Sequence, residues 1–153
     1  MHILILTLAA ILVTAFFTGC AGGDESQQQD NKSQKTSDLS EFQLKHGIGP
    51  VQEAIELGDL DPELAALGKE VFEQKCSACH KPTERYIGPA VGDVLDRRTP
   101  AYVMNMIMNP DEMTKKHPEA RKLLQEYMSP MPYQNVSREQ ARAIVEYFRT
   151  IEM

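Results

Sequence analysis

Cys76-Ser77-Ala78-Cys79-His80 is the stretch on which the reading of this chain turns. Two cysteines three positions apart, with histidine directly after the second, form the C-x-x-C-H attachment signature of a c-type haem. The spacing lets both thiols reach the vinyl groups of one porphyrin as thioethers, and it places the histidine under the iron as proximal ligand. A structural zinc site needs four protein ligands, and no second Cys/His pair stands elsewhere in the chain. A thioredoxin-like pair expects a βαβ setting, which the flanking residues do not provide. An inert core pair would leave His80 without a purpose. The motif therefore predicts one covalently bound haem c held by Cys76, Cys79 and His80.

The residues on either side read as short helices. Asp61-Pro62 is a capping residue followed by proline at the first helical position. It opens a helix with Leu64, Leu67, Gly68, Val71 and Phe72 on one side. Thr99-Pro100 opens another that runs to Asn109 and stops at Pro110. Pro118 opens a third, carrying Ala120, Leu123, Leu124 and Tyr127. Ser137 and Gln140 have capping-box spacing ahead of a last helix whose stripe is Ala141, Ile144, Val145, Phe148 and Ile151, with Tyr147 beside it. Upstream, a turn at Gly47-Ile48-Gly49-Pro50 precedes Val51, Ala54, Ile55 and Leu57 at helical spacing. No alternating run is long enough for a strand, so the expected class is all-α. A domain of about 90 residues with short helices and no tryptophan builds only a modest core, which a covalently held porphyrin would complete.

Residues 61–153 resemble the class I monohaem cytochrome c family. The likeness rests on the helix with Gly68 and Phe72, then Cys76–His80, Ile87-Gly88-Pro89, Met131-Pro132-Tyr133 and a terminal helix. It implies a small cytochrome c fold in which the first and last helices cross, the glycine admitting close approach to Tyr147 or Phe148. It implies that the Pro89 carbonyl accepts a hydrogen bond from the His80 ring, which makes the ligand more basic. It also implies that Arg97, or its neighbour Arg98, pairs with a haem propionate, solvation being the plain alternative. Lys115-Lys116 reads as a solvated basic run. The string from Arg97 through Met131 to the Arg149 end is similar to cytochromes c associated with bacterial nitrous oxide reduction.

The sixth iron ligand has to come from eight methionines or a second histidine. Met131 precedes a proline in the loop before the last helix, where the family places its axial thioether. Met128, Met104 or a neighbouring helix methionine, His46, His117 and an open site are the alternatives. Methionine ligation implies a raised potential and an iron with no free position.

The front of the chain reads as an address. Residues 3–17 (ILILTLAAILVTAFF) are apolar over 15 positions, short of the roughly 20 that span a bilayer as a helix. The run fits a secretory signal, and Thr18-Gly19-Cys20 after it resembles the lipobox of bacterial lipoproteins. A plain cleaved signal and an uncleaved anchor are the other readings. The expected organisation is a signal peptide over 1–19, a lipidated Cys20 with a disordered tether over 20–43, an extension packed on the domain over 44–60, and the haem domain over 61–153. Residues 22–41 contain one large apolar residue, Leu39, too little to offset ordering entropy.

Residues 1–59 hold 3 basic and 8 acidic residues, whereas 60–153 hold 13 and 14, so the acidity belongs to the front. With a net charge of −6 the chain is not expected to bind nucleic acid. The resulting expectation is an electron carrier, not an enzyme, lipid-anchored on the periplasmic side of a bacterial membrane. It would take electrons from a quinol oxidase complex or another cytochrome and pass them to a terminal reductase or oxidase. A dihaem peroxidase would need a second C-x-x-C-H, which is missing. A sensor or carrier of NO or CO, and a fixed subunit of a larger respiratory complex, are the alternative readings. Globomycin, which blocks lipoprotein signal cleavage, should make a slower-migrating precursor accumulate in cells; an unchanged mobility would rule out lipidation at Cys20.

Overall fold

A computed structural model describes residues 39–152. The apolar run, Cys20 and the linker as far as residue 38 lie outside the described residues. Within them the secondary structure is helical and there is no strand, as the all-α reading expected. The helices are α1 (Glu41–His46), α2 (Pro62–Lys75), α3 (Val94–Arg97), α4 (Pro100–Met108), α5 (Pro110–Lys116), α6 (Pro118–Tyr127) and α7 (Arg138–Phe148).

The caps legible in the sequence are made. The Asp61 carboxylate accepts from the Glu63 and Leu64 amides at 3.0 Å each, and Pro62 takes the position whose N–H would have no partner. The Thr99 hydroxyl accepts from Tyr102 N–H, and Ser137 and Gln140 exchange both bonds of a capping box. Pro110 does more than stop α4, because it also starts α5.

Two helices set the frame. Gly68 lies where α2 passes over α7, and a Cβ there would sit 1.9 Å from the Ala143 carbonyl oxygen. Phe72, one turn further on, packs against both Tyr147 and Phe148, with ring centroids 5.5 and 5.8 Å away. The buried stripe of α2 is Ala65, Gly68, Val71 and Phe72, while Leu67 is exposed, against the sequence expectation. A polar lock at the start of α2 was not foreseen. Glu146 on α7 is fully buried, accepts from the Asp61 amide at 3.0 Å, and pairs with Arg142 and Arg149. Burial pushes this carboxyl upward, but the amide and the two guanidinium groups outweigh it and hold it below the usual range.

The segment ahead of α2 differs from its sequence reading in two ways. Residues 41–43, read as the end of the tether, are helical with the start of the extension: Ser40 and Gln43 form a capping box, and α1 packs on α4. Residues 51–58 are not helical either. Val51 exchanges two 2.9 Å bonds with the Asn105 side chain, and Arg149 donates to the Gly58 carbonyl at 2.8 Å. Held at both ends by side chains of α4 and the α7 terminus, the strap takes no regular secondary structure. Val51, Ile55 and Leu57 pack against the core while Ala54 faces solvent. Periodicity over so short a stretch did not separate the two conformations.

Two histidines fasten this extension. The buried His46 ring bonds Thr99 Oγ1 at 3.0 Å. His117 caps α6 by accepting from the Glu119 amide at Nδ1, and donates from Nε2 to the Leu44 carbonyl, both at 3.2 Å. The pair of bonds requires the neutral ring, since a proton on Nδ1 would remove the acceptor. Burial holds both histidines below their ordinary 6.5, Lys45 adding to the effect at His46 and the Leu44 carbonyl opposing it at His117.

Two predictions follow from this packing. Gly68→Ala should cost about 3 kcal/mol or more, read as a lowered thermal midpoint of the haem-loaded protein. Gly58→Ala, with nothing within 4 Å of the new Cβ, should leave the midpoint unchanged. The second concerns pH. A histidine whose folded pKa is depressed contributes stability that is complete above the unfolded value of 6.5 and is lost as pH falls below it. The urea midpoint should therefore drop between about pH 7.5 and about pH 5.5, and His117→Gln should shrink the drop. A midpoint that held or rose over that interval would contradict the neutral-ring lock.

Candidate haem site

The last turn of α2 delivers the motif. The amides of Cys76 and Ser77 both donate to the Phe72 carbonyl, and those of Cys79 and His80 both donate to the Cys76 carbonyl at 3.0 and 2.9 Å. This winding gathers two thiols and an imidazole along one cleft. The cysteines are half-buried and not joined to each other. Burial pushes the Cys76 thiol up to about 11, with Cys79 adding to the rise and Lys75 opposing it. A redox-active or metal-binding thiol needs the reverse shift. Among the described residues no group of three or more His, Cys, Asp or Glu could hold a bare metal ion.

His80 is fixed by its neighbours. Its Nδ1 lies 3.0 Å from the Pro89 carbonyl, which can only accept, so the neutral ring carries its proton on Nδ1 and leaves the Nε2 lone pair for a metal. Gly88 lies flat against the imidazole: a Cβ there would be 2.5 Å from Cε1 and 2.8 Å from Nδ1. The Gly88 amide donates to the Cys79 carbonyl at 2.8 Å, which ties the loop back to the motif.

The cleft encloses about 1330 Å³ of empty space, its open mouth included. Ile144 and Phe148 of α7, Val103 and Ile107 of α4, and Leu123 and Leu124 of α6 are among the apolar groups that line it. Cys76, Cys79, His80, Pro89, Arg97 and Met131, the residues singled out from sequence, all line this one cleft. Met131 comes from the loop between α6 and α7, flanked by Pro130 and Pro132. Of the alternatives, Met128, Met104, His46 and His117 lie outside the cleft lining. Met128 is 86% exposed at a left-handed φ of 50°, Met104 is buried in the core away from the cleft, and His46 and His117 serve the extension. Met106 of α4 also lines the cleft.

Tyr102 was not foreseen. It is 3% exposed, it lines the cleft, and its hydroxyl has no hydrogen-bond partner among the described residues. The Arg98 guanidinium lies 5.2 Å from its ring centroid and pairs with Glu119 at 2.9 Å, while Arg97 pairs with Asp93 at 2.5 Å. A buried hydroxyl without a partner is costly and asks for an acceptor. An apolar cleft with two thiols and an imidazole on its wall, plus a donor and two cations, fits a flat porphyrin with carboxylate substituents. The signal in sequence was weak, an aromatic hydroxyl one helical turn beyond Arg98.

Fold and site together define a small helical domain for one covalently attached haem. The chain belongs to the cytochrome c family, whose sequence pattern, described as Cytochrome c, matches residues 65–152. That family binds haem c covalently through Cys-x-x-Cys-His, and Cys76 and Cys79 stand at the required spacing. Among solved structures the chain is similar to cytochrome c from Rhodothermus marinus, at 45% identity over 72% of this chain and 95% of that one, with a TM-score of 0.68. It is also similar to an engineered cytochrome c from Rhodothermus marinus, Rma TDE, at 44% identity over 72% and 96%, with a TM-score of 0.67. The same engineered protein bound to a carbene intermediate gives 45%, 72%, 96% and 0.65. A comparison with curated proteins finds no match.

Proposed function

We propose that this cytochrome c is a lipid-anchored carrier of single electrons outside the cytoplasm, with His80 and Met131 as its axial iron ligands. Membership of the family gives the haem c and the electron-transfer role in general terms. The observation that supports the ligand assignment is that one cleft is lined both by the Cys76–His80 motif and by Met131 from the distant loop before α7. The haem supplies the one-electron couple. The polypeptide orients the imidazole through Pro89, shields the iron with apolar side chains, and keeps both axial groups on packed segments so that little rearranges between oxidation states.

Tyr86, Ile87 and Tyr133, exposed beside cleft-lining residues, supply a small apolar face of the kind brief redox encounters use. The signal-like run and Cys20 support extracytoplasmic anchoring through a lipid, with the intervening residues as tether. Electrons come from a quinol oxidase complex or another cytochrome and go to a terminal reductase or oxidase. Nitrous oxide reductase is the acceptor suggested by the similarity of the Arg97–Arg149 string.

Methionine ligation gives the oxidised protein a weak absorption band near the red edge of the visible spectrum. Met131→Ala should abolish that band and open the iron to CO, while Met128→Ala, altering an exposed side chain, should leave it intact. A band that survives Met131→Ala would remove Met131 as ligand. Prompt CO binding by the reduced wild type at neutral pH would overturn the electron-carrier reading in favour of a ligand-binding role.

A further inference from the structure

The loop that leaves His80 and the helix that leads to Met131 are joined by one side chain. Arg85 donates from Nη1 to the Glu126 carboxylate at 3.1 Å and from Nη2 to the Glu126 backbone carbonyl at 3.2 Å. Its guanidinium carbon lies 4.1 Å from the ring centroid of Tyr127, a residue that lines the cleft. The two partners are 41 positions apart, so the contact is tertiary. The root of Arg85 is firm. Tyr86 N–H bonds the Gly88 carbonyl, Gly88 N–H bonds Cys79, and Lys81 donates to the Ser77 carbonyl while lying over the Tyr86 ring. The loop is thereby stitched to the Cys76–His80 turn.

The far end needs holding. Glu126 O is one of the last four carbonyls of α6, which have no partner within the helix, and α6 carries no basic residue in its own last turn. The helix stops at Met128 in a left-handed conformation that a non-glycine residue adopts only at a cost. Three residues later the chain reaches Met131. We propose that Arg85 is a positioning residue for Met131, clamping the end of α6 to the loop after His80 so that the turn over residues 128–132 keeps the thioether on the iron. The proposal rests on Met131 being the axial ligand. An exposed ion pair alone would contribute little. Here a planar guanidinium makes a charged bond, a helix-end bond and an aromatic contact together, which a lysine cannot reproduce.

The test is a titration of the oxidised, haem-loaded protein with imidazole, followed by loss of the red-edge band as Met131 is displaced. Removing the clamp in Arg85→Ala should raise the apparent imidazole affinity about fivefold, the size expected of a surface cation–π contact plus an exposed ion pair. Arg85→Lys should fall between that variant and the wild type. Tyr127→Leu, which removes the aromatic face under Arg85 and also changes one cleft-lining side chain, should shift affinity the same way by less. Arg138→Ala breaks the ion pair to Glu53 on the strap and serves as the control for general loosening, with wild-type affinity expected. The clamp is overturned if Arg85→Ala and Tyr127→Leu bind imidazole as the wild type does, or if Arg138→Ala raises affinity as much as Arg85→Ala. A wild-type protein without the band would instead overturn the Met131 assignment, and the clamp with it.

Discussion

The passage of α2 over α7 at Gly68 is the contact on which the rest of this structure depends. With a Cβ excluded by the Ala143 carbonyl, the two helices meet at backbone distance, and Phe72 can then reach Tyr147 and Phe148. The same geometry places the end of α2, and therefore Cys76, Cys79 and His80, beside the cleft that Ile144 and Phe148 help to line. At the other end of α2, the buried Glu146 holds the Asp61 amide and two arginines, so the crossing is fixed by packing on one side and by charge on the other. Breaking such a buried pair from one side leaves an uncompensated charge, which makes it a specifying feature even where its net contribution is small.

What the sequence made legible was local. Asp61-Pro62, Thr99-Pro100 and Ser137-x-x-Gln140 are helix starts because each cap is satisfied within three residues, so the pattern is complete in a short window. The Cys76–His80 motif is equally self-contained. The features missed depend on partners far along the chain. Residues 51–58 are not helical: Asn105 and Arg149, more than 50 positions away, take backbone groups at the two ends. Leu67 lies outside the stripe of Ala65, Gly68, Val71 and Phe72 that faces α7, an orientation set by where the two helices cross. Tyr102 becomes notable only when the cleft is seen around its hydroxyl, and α1 was hidden because its apolar content is slight.

The extension before α2 is a working part of the domain. Asn105 bonds His46 and Val51, Met113 accepts from the Ile48 amide, and His117 reaches Leu44, so α4, α5 and α6 all hold it. Residues 39–60 thus belong to the folded unit, which begins earlier than residue 61. Apolar contacts accompany these bonds: Ile48 packs with Tyr102, Met113 and Ala120 in a second small cluster, and Val51 joins the main core.

The central claim is that the helices assemble around a covalent haem that supplies apolar volume the side chains lack. The far-UV circular dichroism of the polypeptide made without haem attachment, compared with the matured protein, tests this most directly. The haem-free chain should give a weak helical signal and no cooperative thermal transition. A haem-free chain with the helical content of the matured protein and a cooperative melt would contradict it.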